Sequence, residues 1–171
     1  GVEYTRVSPN DAIRLNAAQA IILDADGKDA LHLISGRKPV ILLPGFPLET
    51  LSGVTLRNTV QDIFRASAPK DDPLFEGIPD ADLYFRNASK LPVLTAKPQW
   101  TAATEPALFA KVKINARPYI IFNIAPGMVE GFWNGEKISR VWSTIFNNLN
   151  IGLSRGILLY GGLRMRHNTN N

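Results

Sequence analysis

Gly152-Leu153-Ser154-Arg155-Gly156 has the G-x-S-x-G spacing that can present a serine nucleophile on a strained strand-to-helix turn. The surrounding pattern runs the other way. A strongly helical stretch precedes Ser154, a β-like apolar run from Ile157 to Tyr160 follows it, and no Asp or Glu stands between Ser154 and His167. Ser154 is therefore expected not to be a nucleophile. Asp24-Ala25-Asp26-Gly27 resembles the opening of a calcium loop, which needs glycine at its sixth position and an acid at its twelfth; Asp29 and Ser35 occupy those positions. His32 and His167 are separated by most of the chain, and there is no cysteine, so neither a metal site nor a thiol nucleophile is expected. No Walker sequence is present and no G-x-G-x-x-G follows a strand, so no nucleotide cofactor is expected.

The remaining chemistry-bearing types are loop carboxylates and aromatics. Pairs for glycoside hydrolysis can be drawn from Asp24, Asp26, Glu49, Glu76, Asp82 and Glu130, but such pairs need a separation of about 5 to 10 Å that sequence does not give. Asn87-Ala88-Ser89 is a glycosylation sequon, meaningful in a secreted eukaryotic chain. Trp142 falls on a helical apolar stripe and belongs to the core. Trp100 and Trp133 fall in expected loops, where an indole either plugs a gap or offers a face to a sugar or a partner.

These residues need elements to hold them. Residues 2 to 7 alternate as a short strand would. Ala20 to Leu23 reads as a buried strand leaving the core at Asp24-Ala25-Asp26-Gly27. Asp26 is expected to cap a helix from about Gly27 to Ser35, with Leu31 and Ile34 inward and Gly36 as its left-handed stop. Pro39 to Leu43 follows as a second buried strand. Two continuously apolar strands around one helix indicate a βαβ unit with parallel strands covered on both faces.

Leu56, Val60, Ile63 and Phe64 share a helical stripe and predict a helix near 54 to 66. Residues 68 to 79, rich in proline, are loop. Asp82 to Arg86 and Leu91 to Thr95 are expected strands with a turn at Asn87 to Ser89, and Leu108 to Ile114 with Pro118 to Ile124 form an antiparallel hairpin turning at Asn115-Ala116. Pro126 to Gly135 is loop. Ile138, Val141, Trp142, Ile145, Phe146 and Leu149 then mark the clearest helix, which packs on the sheet. The expected core contains Ile21, Leu23, Ile41, Leu43, Ile120, Phe122, Val141, Trp142 and Ile145.

A chain of 171 residues with 45% hydrophobic and 20% charged residues suits one globular domain. We expect it to span residues 1 to 163, with 164 to 171 as a mobile tail or a link to a further domain. No apolar run approaches the roughly 18 residues of a membrane span, so no membrane partner is expected. The formal charge is +4, but Arg155, Arg164 and Arg166 are the only charged residues after Asn150 and supply +3 of it. Such a distribution is not a nucleic-acid footprint. Gly1 in place of Met suggests a processed chain or a domain cut from a longer one.

Asp72-Pro73-Leu74-Phe75-Glu76-Gly77-Ile78, then Asp82-Leu83-Tyr84-Phe85-Arg86, then Tyr119 to Ile124 (YIIFNI) and the helix ISRVWSTIFNNLNI recur in a recognisable order. Over about residues 20 to 151 this resembles the flavodoxin-like, class I glutamine-amidotransferase-like accessory domains of large bacterial glycoside hydrolases of family 2 or beta-galactosidase type. The resemblance implies a three-layer α/β fold: a largely parallel sheet with an antiparallel hairpin and helices on both faces. It also implies a carbohydrate-processing parent in the periplasm or outside the cell, with neighbouring domains of a longer chain and oligosaccharide as partners. Amidotransferase chemistry does not carry over, because Pro44-Gly45-Phe46 stands where a nucleophilic cysteine would follow a strand. No catalytic residue is assigned.

Ligands of open α/β sheets bind beyond the carboxyl ends of the parallel strands. Asp24 and Asp26 follow one expected strand and Phe46 and Glu49 the next, with Arg86, Asn87 and Trp133 joining them as the expected ligand-binding set. The expected role is a non-catalytic accessory domain that packs on neighbours or contributes to glycan binding. The alternative is a stand-alone hydrolase using two of the loop acids.

Overall fold

The computed structural model describes residues 11–51, 56–95 and 100–151. The expected strand at 2 to 7, the expected strand at Ile157 to Tyr160, Ser154, His167 and the 163/164 boundary lie outside the described residues. Within the described residues, seven strands form two sheets. β1 (Ile21–Leu23), β2 (Val40–Leu42), β7 (Arg117–Phe122), β6 (Phe109–Ile114) and β5 (Trp100–Ala103) lie side by side in that order. β1, β2 and β7 are parallel neighbours, with Leu23 facing Leu42 and Leu42 facing Ile121. β6 and β5 then add antiparallel, so the sheet is mixed around a parallel three-strand unit. The β6–β7 connection turns on Asn115 and Ala116, both in the left-handed region, as a tight hairpin requires.

Strand alternation separates two cores. Ile41, Ile120, Phe122 and Phe109 point to one, and Val40, Leu42, Ile121 and Val112 point to the other. α2 (Phe132–Asn148) covers the first face with Ile138, Val141, Trp142, Ile145 and Phe146. Trp142 is fully enclosed against Phe122 and Phe146, and its indole N–H donates to the Ile124 carbonyl at 3.0 Å. On the opposite face the cover is irregular. It consists of the short α1 (Ala12–Ala17), a 3-10 helix at Ala25–Leu33 and a 3-10 turn at Leu48–Thr50, which contribute Leu15, Ala30 and Leu48. All nine expected core residues are buried except Leu43, which is half-buried.

The structure corrects several local expectations. The crossover between β1 and β2 is 3-10 rather than α-helical, and its cap is Asp24, whose carboxylate accepts from the Asp26 N–H; Asp26 caps nothing. Leu31 is only half-buried, while Ile34 is buried and Gly36 takes φ +75° as expected. The stretch expected as a helix near 54 to 66 contains β3 (Asn58–Arg65), because only Ile63 within it is buried while Val60 and Phe64 face solvent. β4 (Tyr84–Leu94) is one strand where two were expected. Between the pairs Ile63/Ser89 and Arg65/Tyr84, residues 85–88 stand against Phe64 alone, so the expected turn is a bulge inside a continuous strand. Finally, Trp100 opens β5 rather than occupying a loop, and Trp133 lies in the first turn of α2, which begins earlier than expected.

Polar ties fix the periphery. Lys38 donates its ammonium to the carbonyls of Leu15, Asn16 and Ala18 at 3.3, 2.5 and 2.8 Å, satisfying backbone groups that the end of α1 leaves open. Lys38→Met keeps the stem and removes all three bonds. We expect it to lower the unfolding free energy by about 1 to 2 kcal/mol, read from urea denaturation. No helix among the described residues is long and apolar enough to cross a membrane.

Candidate functional site

Parallel pairing brings the carboxyl ends of β1, β2 and β7 to one edge. The loops after β1 and β2 meet there. The Leu43 N–H donates to the Leu23 carbonyl at 2.8 Å, and Gly45, at φ +91°, brings its backbone toward Ala25. The loop after β7 runs through Asn123, Ile124 and Ala125 into a 3-10 turn at Pro126–Met128 and then α2. A Cβ added to Gly135 would sit 3.2 Å from the Pro126 carbonyl, so the head of α2 is seated on this loop.

Three of the expected ligand residues are on this edge with accessible side chains, and one is not. Asp26 and Glu49 are exposed, and Asp24 is half-buried with one carboxylate oxygen engaged by the Asp26 N–H at 3.1 Å. Phe46 is buried in the second core, only 4% exposed, and is a packing residue rather than a ligand face. Its place after an apolar strand and Pro44-Gly45 signalled a loop, and nothing local signalled that the loop folds back over the core.

Trp133 is 76% exposed and its neighbour Phe132 is 73% exposed, and the two rings meet edge to face with centroids 5.5 Å apart. Gly131, at φ +86°, supplies the reversal before them. Arg86 and Asn87 are on the β4 bulge, both exposed, and among the described residues no hydrogen bond or ion pair joins them to Asp24, Asp26, Glu49 or Trp133. The expected set is thus divided between the sheet edge and the β3–β4 ribbon.

Sequence reasoning named Asp82 among the candidate carboxylates but missed its partner. Asp82, nearly enclosed, accepts two bonds from Arg140 of α2, Nε to Oδ2 at 3.0 Å and Nη2 to Oδ1 at 2.5 Å. These hydrogen bonds chiefly, with the charges of Asp82 and Glu136, outweigh desolvation and hold the guanidinium above its ordinary range. The pair borders an open groove of about 520 Å³ lined also by Gly77, Pro79, Ser143 and Thr144. Both hydroxyls donate back along α2, to the Ser139 and Arg140 carbonyls, so the groove's polar groups are engaged within the fold. Among the described residues no group of three or more His, Asp or Glu is placed to hold a metal ion.

No protein-family model matches this chain, and no curated protein matches it. Among solved structures, it is similar to a Thermoplasma acidophilum protein provisionally assigned as one of the subunits of GMP synthase. That similarity has 12% identity and a TM-score of 0.49, over 83% of this chain and 78% of that one.

Proposed function

We propose that the chain is a non-catalytic accessory domain of a carbohydrate-active protein, of the flavodoxin-like, amidotransferase-like class, which packs on neighbouring domains and presents its parallel-strand edge to a glycan. The observation that carries this reading is the solvent-facing Phe132–Trp133 pair at the head of α2, beside the loop that leaves β7. Large exposed aromatics are costly in water unless something covers them, and an indole face suits the apolar face of a sugar ring. Asp26 and Glu49 on the same sheet edge supply acceptors for sugar hydroxyls. Asp24 serves partly as a cap, which fits binding better than acid–base work.

Isothermal titration with neutral oligosaccharides tests the reading. Binding is expected to weaken by about tenfold or more in Trp133→Ala, as for an exposed anchor residue, with thermal stability unchanged. Binding that ignores Trp133→Ala and Asp26→Asn removes this site. Turnover of a chromogenic glycoside that is lost in Asp24→Asn makes the chain a hydrolase instead.

A further inference from the structure

The β3–β4 ribbon has an unusual balance of charge. Arg57 precedes it, Arg65 lies on β3, and Arg86 and Lys90 lie on β4, all exposed. Asp62 is the one carboxylate on either strand, and although it faces Lys90 in register, the two form no ion pair within 4 Å. Among the described residues, ion pairs join Arg14 to Asp11, Lys111 to Asp72 and Arg140 to Asp82, and none engages the ribbon's four cations. At one end Lys137 adds a further positive charge, donating to the Tyr84 carbonyl at 2.6 Å and lying 5.8 Å from the Tyr84 ring centroid.

Apolar side chains stand among these charges. Val60 is 71% exposed and Phe64 is 58% exposed, although Ile63 between them is buried. The bulge places residues 85–88 opposite Phe64, so Arg86 and Asn87 flank the ring's position on the ribbon. Uncompensated guanidinium groups favour planar carboxylates, which they bind through two parallel hydrogen bonds. An open phenyl ring among them favours a ligand that also has an apolar ring face. Single-stranded nucleic acid would satisfy the charges, but it draws its affinity from successive aromatic platforms. Here the ribbon exposes two rings, Phe64 and Tyr84, and Lys137 lies 5.8 Å from the Tyr84 centroid, so Phe64 is the ring without that cation beside it.

We propose that the β3–β4 ribbon binds an acidic polysaccharide, with Arg65, Arg86 and Lys90 pairing to ring carboxylates and Phe64 supporting a sugar face. The choice of a glycan rests on the carbohydrate reading above, whereas the demand for an anion rests on the ribbon alone. The test uses the full chain, with polygalacturonate and neutral galactan oligomers titrated at low and high salt. Polygalacturonate is expected to bind, to weaken as salt rises, and to lose about tenfold or more in affinity both in Phe64→Ala and in an Arg65→Gln/Arg86→Gln/Lys90→Gln variant. All these side chains are exposed, and circular dichroism melting checks that each variant keeps the fold. Neutral oligomers bound through Trp133 without any binding of polygalacturonate overturn the ribbon proposal and spare the accessory-domain reading. Silence toward both glycans overturns both. Tighter binding of single-stranded oligothymidylate than of polygalacturonate overturns the choice of a glycan.

Discussion

Trp142→Ala is expected to lower the unfolding free energy by about 3 to 5 kcal/mol, a large share of the stability of a domain this size. Three terms act together. The indole is fully buried, so its removal forfeits apolar burial and leaves a cavity between α2 and β7. It also ends the edge-to-face contact with Phe122, whose centroid is 4.7 Å away. The third term is the Ile124 carbonyl, which loses its indole donor in a buried setting. Trp142→Phe separates these terms, keeping most of the packing and losing the hydrogen bond, and should fall between the two proteins. Guanidinium denaturation followed by circular dichroism reads all three, and a loss below about 1 kcal/mol in the alanine variant would contradict the packing described.

Thr104→Val should cost about 1 to 3 kcal/mol although it conserves shape almost perfectly. The Thr104 hydroxyl is fully buried, accepts from the backbone N–H groups of Leu108 at 2.9 Å and Phe109 at 3.2 Å, and donates to the Pro106 carbonyl at 2.8 Å. A methyl in its place strands the buried Phe109 N–H, whose desolvation is then uncompensated, while the Leu108 N–H keeps the Pro106 carbonyl at 2.9 Å. Thr104→Ser retains the hydroxyl and should recover most of the stability, which separates hydrogen bonding from packing. Differential scanning calorimetry of the two variants is sufficient, and equal melting temperatures for Val and Ser would dismiss the hydroxyl's role.

What sequence revealed and what it concealed divide along physical lines. The α2 stripe was legible because one face of a long helix must be apolar, and all of its first five stripe residues are buried. β1, β2 and the β6–β7 hairpin were legible through continuous apolar runs and the Asn115-Ala116 turn. β3 was misread because Leu56, Val60, Ile63 and Phe64 satisfy helical spacing by composition, while two of the four actually face solvent. An exposed apolar residue imitates a core residue in any periodicity argument. On the site side, the rule for strand ends led to the expectation that the β1 and β2 loops share an edge, where the Leu43 N–H donates to the Leu23 carbonyl and Gly45 stands beside Ala25. Asp82–Arg140 remained hidden because partners so far apart in sequence leave no local signal.

The central ladder of the sheet joins Val40 to Tyr119 and Leu42 to Ile121. Everything between those residues, including the β3–β4 ribbon and both strands of the antiparallel half, must be synthesised before β2 acquires its second neighbour. Loop-closure entropy for such a distant pairing is met only when the whole segment is present, which makes the chain a slow folder relative to helical domains of equal size. On a ribosome, β1 and β2 would emerge with Ile41 still uncovered and wait for α2, the last element among the described residues. The order of the strands in space therefore makes the nascent chain most dependent on chaperone shelter over the interval in which the first two strands of its parallel core are already made and the third is not.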